Sequence, residues 1–174
     1  WQLKVKRAIE THSEIEPMET IVTCQDGSRK NILWGFTTLD DLNYTFGLNL
    51  TELREAESIL FESEAKLKSL ILNLNEGLAL HELIYDDNNQ PIDYRILEVN
   101  PAFEAQTGIK SNLAKGGLAT EIYGVNPAPY LDDYARVVKT GKPYHFDVYF
   151  EPLDRHFNIS VFSPMENQFA TVFM

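Results

Sequence analysis

Hydrophobic and polar positions along the chain change period several times, and each change marks an element. Leu3 to Glu10 repeats at helical spacing, with Val5, Ala8 and Ile9 apolar. After Pro17 the period shortens, and Glu19 to Cys24 is rich in β-formers. Gln25-Asp26-Gly27-Ser28 then reads as a hairpin turn, because Asp-Gly supplies the positive φ that such turns need. Asn31 to Thr37 is a second strand, Asp40-Asp41 a break and Asn43 to Leu48 a third strand. This part predicts a helix followed by a three-stranded antiparallel meander.

The helical period returns at Asn49 and runs to Asn75. Two residues compete to cap this helix. With Asn49 as cap, Glu52 falls where it reaches back to a free backbone N–H, as in a capping box, and Leu48 pairs with Leu53 as a hydrophobic staple. With Thr51 as cap neither feature lines up, so Asn49 is preferred. Leu53, Leu60, Leu67 and Leu74 recur at heptad spacing, with Ala56, Ser63 and Leu70 in the second seam. A dimer seam of Leu53, Leu60, Leu67, Leu70 and Leu74 follows; packing on the helix's own domain is the alternative.

From Glu76-Gly77 the alternation is β again. Leu78 to Tyr85 and Ile92 to Val99 are strands around a turn at Asp86–Pro91. Asn100 caps a short helix that has Pro101 at its favoured first position. Short helices and loops punctuated by glycine fill the stretch to Pro129. Tyr130 to Lys139 is a longer helix with Tyr130, Tyr134, Val137 and Val138 on one face, ended by Gly141. Tyr144–Glu151, Phe157–Phe162 and Phe169–Met174 are three further strands.

Helix plus three strands therefore occurs twice, and the copies align. Arg7 to Thr11 answers Arg136 to Thr140, Asn31-Ile32 answers Asn158-Ile159, and Thr45 answers Thr171, which makes Leu48 the counterpart of Met174. An internal repeat redefines the architecture. Residues 1–48 become the second half of a domain whose whole copy occupies 76–174, with a linker helix over 49–75 between them.

Composition adds exclusions. At 44% hydrophobic and 24% charged residues the chain has material for a core, and a formal net charge of −11 argues against nucleic acid and anionic membrane as partners. Cys24 is the single cysteine, so an intrachain disulfide and a thiolate zinc site are both excluded. It reads as a half-buried strand residue, in keeping with a cytoplasmic setting. No apolar run approaches the roughly 18 residues that span a bilayer. A chain opening on Trp1 reads as a piece of a longer polypeptide, and membrane anchorage belongs, if anywhere, to the rest of it.

The layout resembles tandem PAS domains of bacterial and archaeal sensor proteins. Val99-Asn100-Pro101-Ala102-Phe103, continued to Thr107-Gly108, is similar to that family's "N-x-A-F … T-G" segment. Cys24 to Arg29 is similar to its "kDGs.r" hairpin, and Asn49-Leu50-Thr51-Glu52 resembles the D-I-T-E junction at which a PAS domain passes into its output helix, with Asn for Asp. The resemblance implies an α+β fold, a five-stranded antiparallel sheet with short helices over one face and a cavity between them. It makes Asn49, Thr51 and Glu52 a signal-transfer junction and Asn100 the cap of the helix after the second strand. By strand alternation Phe146, Val148 and Phe150 share one face, as do Ile159 and Val161, and Tyr130, Tyr134 and Val137 close the other side. These residues are the ligand-pocket candidates; plain core packing uses the same set.

Cofactor signatures of the family are missing from the sequence. The copy at 76–174 has no cysteine for a covalent flavin adduct, and the helix at Tyr130–Lys139 has no histidine for haem. The four histidines show no i,i+4 pair for zinc. His81-Glu82 superficially matches a phospho-acceptor box, but its setting reads as a strand. Nucleotide-binding loops are also lacking. What the resemblance implies is a non-catalytic regulatory fragment: no cofactor, an unidentified small molecule as candidate ligand, a homodimer through the helix, and an output domain elsewhere in the parent. That output is first a histidine kinase of a two-component system and second a diguanylate cyclase. A dimerisation or docking module with a filled core is the alternative.

Overall fold

The computed structural model describes residues 15–39 and 42–174, and the chain folds as two units, one up to Lys66 and one from Leu67. The helix predicted over Leu3–Glu10, its alignment with Arg136–Thr140, and the break at Asp40-Asp41 lie outside the described residues.

In the first unit, β1 (Ile15–Thr23), β2 (Arg29–Leu39) and β3 (Leu42–Asn49) form an antiparallel sheet in that order. The β1–β2 connection is the tight turn expected from Asp26-Gly27: Gly27 has φ +84°, Cys24 and Ser28 close the loop, and the Asp26 carboxylate accepts the Ser28 N–H. Leu42, Tyr44, Phe46 and Leu48 project from β3 with roughly half or more of their surface exposed. Phe46 lies over Gly35, where a side chain would collide with the ring.

Helix α1 spans Thr51–Leu72, two residues shorter at its start and three at its end than the predicted 49–75. The difference at the start is a correction to the preferred cap. Asn49 remains in β3, paired with Ile32, and Leu50 supplies the carbonyl that accepts the first helical N–H, from Arg54. Glu52 makes no hydrogen bond to the Asn49 backbone among the described residues, so there is no capping box. Leu48 and Leu53 are each more than half exposed and do not form a buried staple.

The second unit is α+β, as expected: a five-stranded antiparallel sheet in the order β5-β4-β8-β7-β6 with short helices packed on it. Its strands are β4 (Gly77–Tyr85), β5 (Pro91–Val99), β6 (Tyr144–Phe150), β7 (Arg155–Phe162) and β8 (Gln168–Phe173). Each lies within two residues of its sequence-based placement. Between β5 and β6 run α2 (Pro101–Thr107), α3 (Ser111–Ala114), α4 (Ala119–Tyr123) and α5 (Leu131–Thr140). Alternation decides which side chains enter the core: Ala79, His81 and Leu83 from β4, and Phe157, Ile159 and Val161 from β7. Against them α5 packs Leu131, Tyr134 and Val137, and α2 packs Phe103. Phe103, Phe169, Ile96, Val137 and Val161 are fully enclosed. Each contributes about 1.5–3 kcal/mol by leaving water. Tyr130 is not on the helix as predicted; it precedes Leu131 with φ +55°.

The backbone also corrects the repeat. Asn158 and Met174 exchange two hydrogen bonds, and Asn31 accepts from the Leu50 N–H. With Asn31 matched to Asn158, the counterpart of Met174 is Leu50, not Leu48, and that of Thr171 is Gly47, not Thr45. The third strand slides by two residues because β2 and β3 continue pairing to Leu39/Leu42, whereas β7 and β8 end their pairing at Phe162/Ala170. A two-residue slide keeps every side chain on its face, so alternation alone does not detect it.

Candidate functional site

The helices and the inner face of the second unit's sheet line a half-open cavity of about 50 Å³. Its floor is Phe157 and Ile159 from β7 and Phe173 from β8. Phe150 stands at the end of β6, and Tyr94 comes from β5, His81 from β4 and Thr171 from β8. Tyr123 on α4, with Tyr130 and Tyr134 at the start of α5, closes it. The rings form one network: Tyr134 stacks on Phe169 at 4.5 Å, Tyr94 meets both edge-on, and Tyr130 leans on Phe146 at 5.3 Å. Small-molecule pockets commonly run from about 300 to 1,000 Å³. This one holds only a few water-sized molecules.

Its polarity is concentrated in neutral groups. No Asp, Glu, Lys or Arg is among the lining residues. Burial pushes the phenols of Tyr94, Tyr134 and Tyr123 well up, and the first two are raised further by neighbouring tyrosines. None of these three hydroxyls, nor that of Tyr130, has a hydrogen-bond partner among the described residues. His81 is held at Nε2 by Thr171 Oγ1 at 3.0 Å and stacked on Phe169 at 4.6 Å. Burial drives its imidazole down to about 3, so it is neutral, and its buried Nδ1 has no partner. Orphaned buried polar atoms are rare enough to need a reason. Tyr130 adds backbone strain at the rim, since φ above zero is costly for a bulky residue.

Of the sequence-predicted pocket residues, Tyr130, Tyr134, Phe150 and Ile159 line the cavity. Val137 and Val161 do not: both are consumed in the core beside Leu83, Tyr134 and Phe169. Phe146 and Val148 pack partly buried at the edge of the core. His81, Tyr94, Tyr123 and Thr171 were missed. The signal for His81 was present, because Ala79, His81 and Leu83 share strand parity and two of the three are apolar. His81 sits on β4, as its strand-like setting implied, and His145 and His156 are exposed on β6 and β7.

Asn100 does more than cap a helix. Its Oδ1 accepts the Phe103 N–H at 2.9 Å, which is the predicted cap, and also the Leu78 N–H at 2.9 Å. Its Nδ2 donates to the carbonyls of Glu76 at 2.9 Å and Ile71 at 3.3 Å. One fully buried amide thus joins the last turn of α1, the start of β4 and the first turn of α2.

At the first unit's junction the organising residue is Thr51. Its Oγ1 accepts the Asn31 N–H at 3.0 Å and donates to Asn49 Oδ1 at 2.6 Å, while its own N–H donates to the same Asn49 oxygen. Arg54 adds a forked ion pair to Glu19 on β1, with Nε to Oε1 at 2.8 Å. Arg54 holds the Glu19 carboxyl below its usual range. Glu52 takes no part.

Leu53, Leu60, Leu67 and Leu70 are solvent-facing on α1, none of whose residues is buried; Leu74, predicted as the last residue of the seam, lies past the helix end at Leu72 and is not part of it. Ile59 and Phe61, outside the seam, are exposed as well. No helix among the described residues is long and apolar enough to cross a membrane, and no group of three or more His, Cys, Asp or Glu among them is placed to hold a metal ion.

No protein-family model matches the chain, and no curated protein does. Among solved structures it is similar to a domain of the sensory box sensor histidine kinase/response regulator from Geobacter sulfurreducens. That likeness is 17% identical, covers 66% of this chain and 95% of the other, and has a TM-score of 0.46. A domain of an HTR-like protein from Haloarcula marismortui is 16% identical over 57% of this chain and 96% of its own, at a TM-score of 0.44. An RNA-binding Light-Oxygen-Voltage receptor is 9% identical over 100% of this chain and 79% of its own, at a TM-score of 0.42.

Proposed function

We propose that the chain is a non-catalytic sensory module that passes a signal between its PAS unit and the attached helix, within a cytoplasmic, dimeric signalling protein. The observation that carries this reading is Asn100. A single enclosed side chain ties the helix end at Ile71 to the sheet at Leu78, so a shift in one is felt by the other. The exposed leucine seam of α1 supports a second copy of the chain as partner, since Leu53, Leu60, Leu67 and Leu70, left in water on one helix, are stabilised by pairing. A histidine kinase is the output that fits this design first, and a diguanylate cyclase second.

The test is amide hydrogen exchange on the intact chain and on Asn100→Ala. Coupling predicts faster exchange in the last turn of α1, in β4 and in the adjoining end of β8 together. Acceleration confined to the first turn of α2 would reduce Asn100 to a local cap and remove the relay.

A second reading is favoured by the cavity's small volume: a dimerisation or docking module that relays signals with a nearly filled core. Native mass spectrometry separates the two, because retention of a bound organic molecule in the purified protein contradicts a filled core.

A further inference from the structure

We propose that the cavity of the second unit binds a neutral, oxygen-bearing molecule of about two or three heavy atoms, such as a small alcohol or amide, through the hydroxyls of Tyr94 and Tyr134. This rests on the sensory reading above and names the chemistry that its cavity takes. Three independent features point to it.

The first is unfilled hydrogen-bonding capacity. Tyr94 and Tyr134 are nearly enclosed, both line the cavity, and neither hydroxyl is partnered among the described residues. Tyr123 and Tyr130 add two more hydroxyls to the same wall. Unlike His81 Nδ1, these hydroxyls are not sealed off and stay open to whatever occupies the cavity. A phenol both donates and accepts, so the complement is a carbonyl or hydroxyl oxygen.

The second is charge. The lining has no cation to receive an anion, and His81 is neutral there. Asp93 lies close enough to Tyr94, and Asp133 to Tyr134, to oppose negative charge on either phenol. A bound anion would face the same opposition, together with the cost of burial. A cation would find no carboxylate in the wall. A neutral guest avoids both penalties.

The third is size. A 150 Å³ apolar cavity accommodates benzene, with six heavy atoms. About 50 Å³ is a third of that, so the half-open cavity surrounds two or three heavy atoms of its guest. The rest of the wall is aromatic and aliphatic, so a carbon end opposite the oxygen is favoured over a second polar end.

Formamide and formate test this directly, being the same size and differing in charge. The full chain, carrying isotope-labelled tyrosine rings, is titrated with each and with ethanol and followed by NMR. Formamide and ethanol should shift the Tyr94 and Tyr134 ring signals along saturating curves, and formate should not. Tyr134→Phe and Tyr94→Phe remove one hydroxyl each while keeping the ring. Each should weaken formamide binding by about tenfold, the worth of one good hydrogen bond. Equal responses to formamide and formate, a strictly linear drift with all three, or unchanged affinity in both variants would overturn the assignment. Amide signals of Ile71 and Leu78 score the relay separately. If ring signals saturate while these stay still, the guest class stands and the relay to the helix fails; if the rings never respond, the guest class fails whatever the helix does.

Discussion

Asn100 and Leu78 exchange two hydrogen bonds: the Asn100 N–H donates to the Leu78 carbonyl at 3.0 Å, and the Leu78 N–H donates to Asn100 Oδ1 at 2.9 Å. The first belongs to backbone and survives substitution; the second does not. Asn100→Ala leaves two N–H groups and two carbonyls without their side-chain partner. Losing such a buried hub should cost about 2–4 kcal/mol in urea unfolding. Asn100→Asp keeps the acceptor for Leu78 and Phe103 but turns a carboxylate oxygen towards the carbonyls of Ile71 and Glu76. It should destabilise as much as Ala, and near-wild-type stability of the Asp variant would show that the amide donors contribute nothing.

The junction between β3 and α1 gives an ordering of two variants. Thr51→Val has the shape of threonine but removes the acceptor for the part-buried Asn31 N–H. Asn49→Ala removes the acceptor of Thr51's own N–H, which is exposed and turns to water instead. Thr51→Val should therefore cost about 1–2 kcal/mol and speed exchange of the Asn31 amide, and Asn49→Ala less than about 1 kcal/mol. The reverse order would restore Asn49 as the residue that sets the helix start.

What the sequence displayed and what it hid divide along physical lines. Strand alternation placed all five strands of the second unit and the shared faces of Phe146, Val148 and Phe150 and of Ile159 and Val161. Local rules found the Asp26-Gly27 turn and the Asn100 cap. What stayed hidden depends on tertiary contacts. Which inward residues line a void and which fill the core separates Ile159 from Val161, and no periodicity encodes that. Slippage of β3 by two residues preserves every facing, so pattern matching tolerates it. Asn100 touches Ile71 and Glu76 across a long stretch of sequence, and nothing local in Val99-Asn100-Pro101 announces those bonds.

Leucines of α1 predict an assembly. A second chain seated on the seam buries Leu60 and Leu67 at its middle, where a carboxylate is hardest to accommodate. Light scattering should give about twice the chain mass for the wild type, and monomer mass for the double variant Leu60→Asp, Leu67→Asp. Circular dichroism should show the sheet unaffected, because neither side chain is buried in the single chain. A wild-type chain that runs as a monomer at all accessible concentrations removes the second copy as the occupant of this face.

His81 predicts an acid dependence with a definite sign. Burial lowers its imidazole from 6.5 to about 3 in the folded chain, so the unfolded chain takes up the proton first. Stability is therefore whole above about pH 6.5 and is lost as the pH falls from there towards 3, by up to about 1.4 kcal/mol per unit. The carboxylates compete only lower down. Glu104, held down to about 2 by Lys110 and the Ser111 N–H, adds its own loss only below its ordinary 4.5. Between pH 5 and 6.5 the slope thus isolates the histidine, and the groups around it do not interfere: Tyr94 and Tyr134 titrate far above this range, and Thr171 and Phe169 not at all. His81→Gln lacks the titrating ring. Whatever its own stability, its urea midpoint should be flat across this window relative to wild type, with His145 and His156 present in both. Parallel pH profiles for the two proteins would mean that His81 meets solvent and is protonated while folded, and the neutral wall assigned to the cavity would go with it.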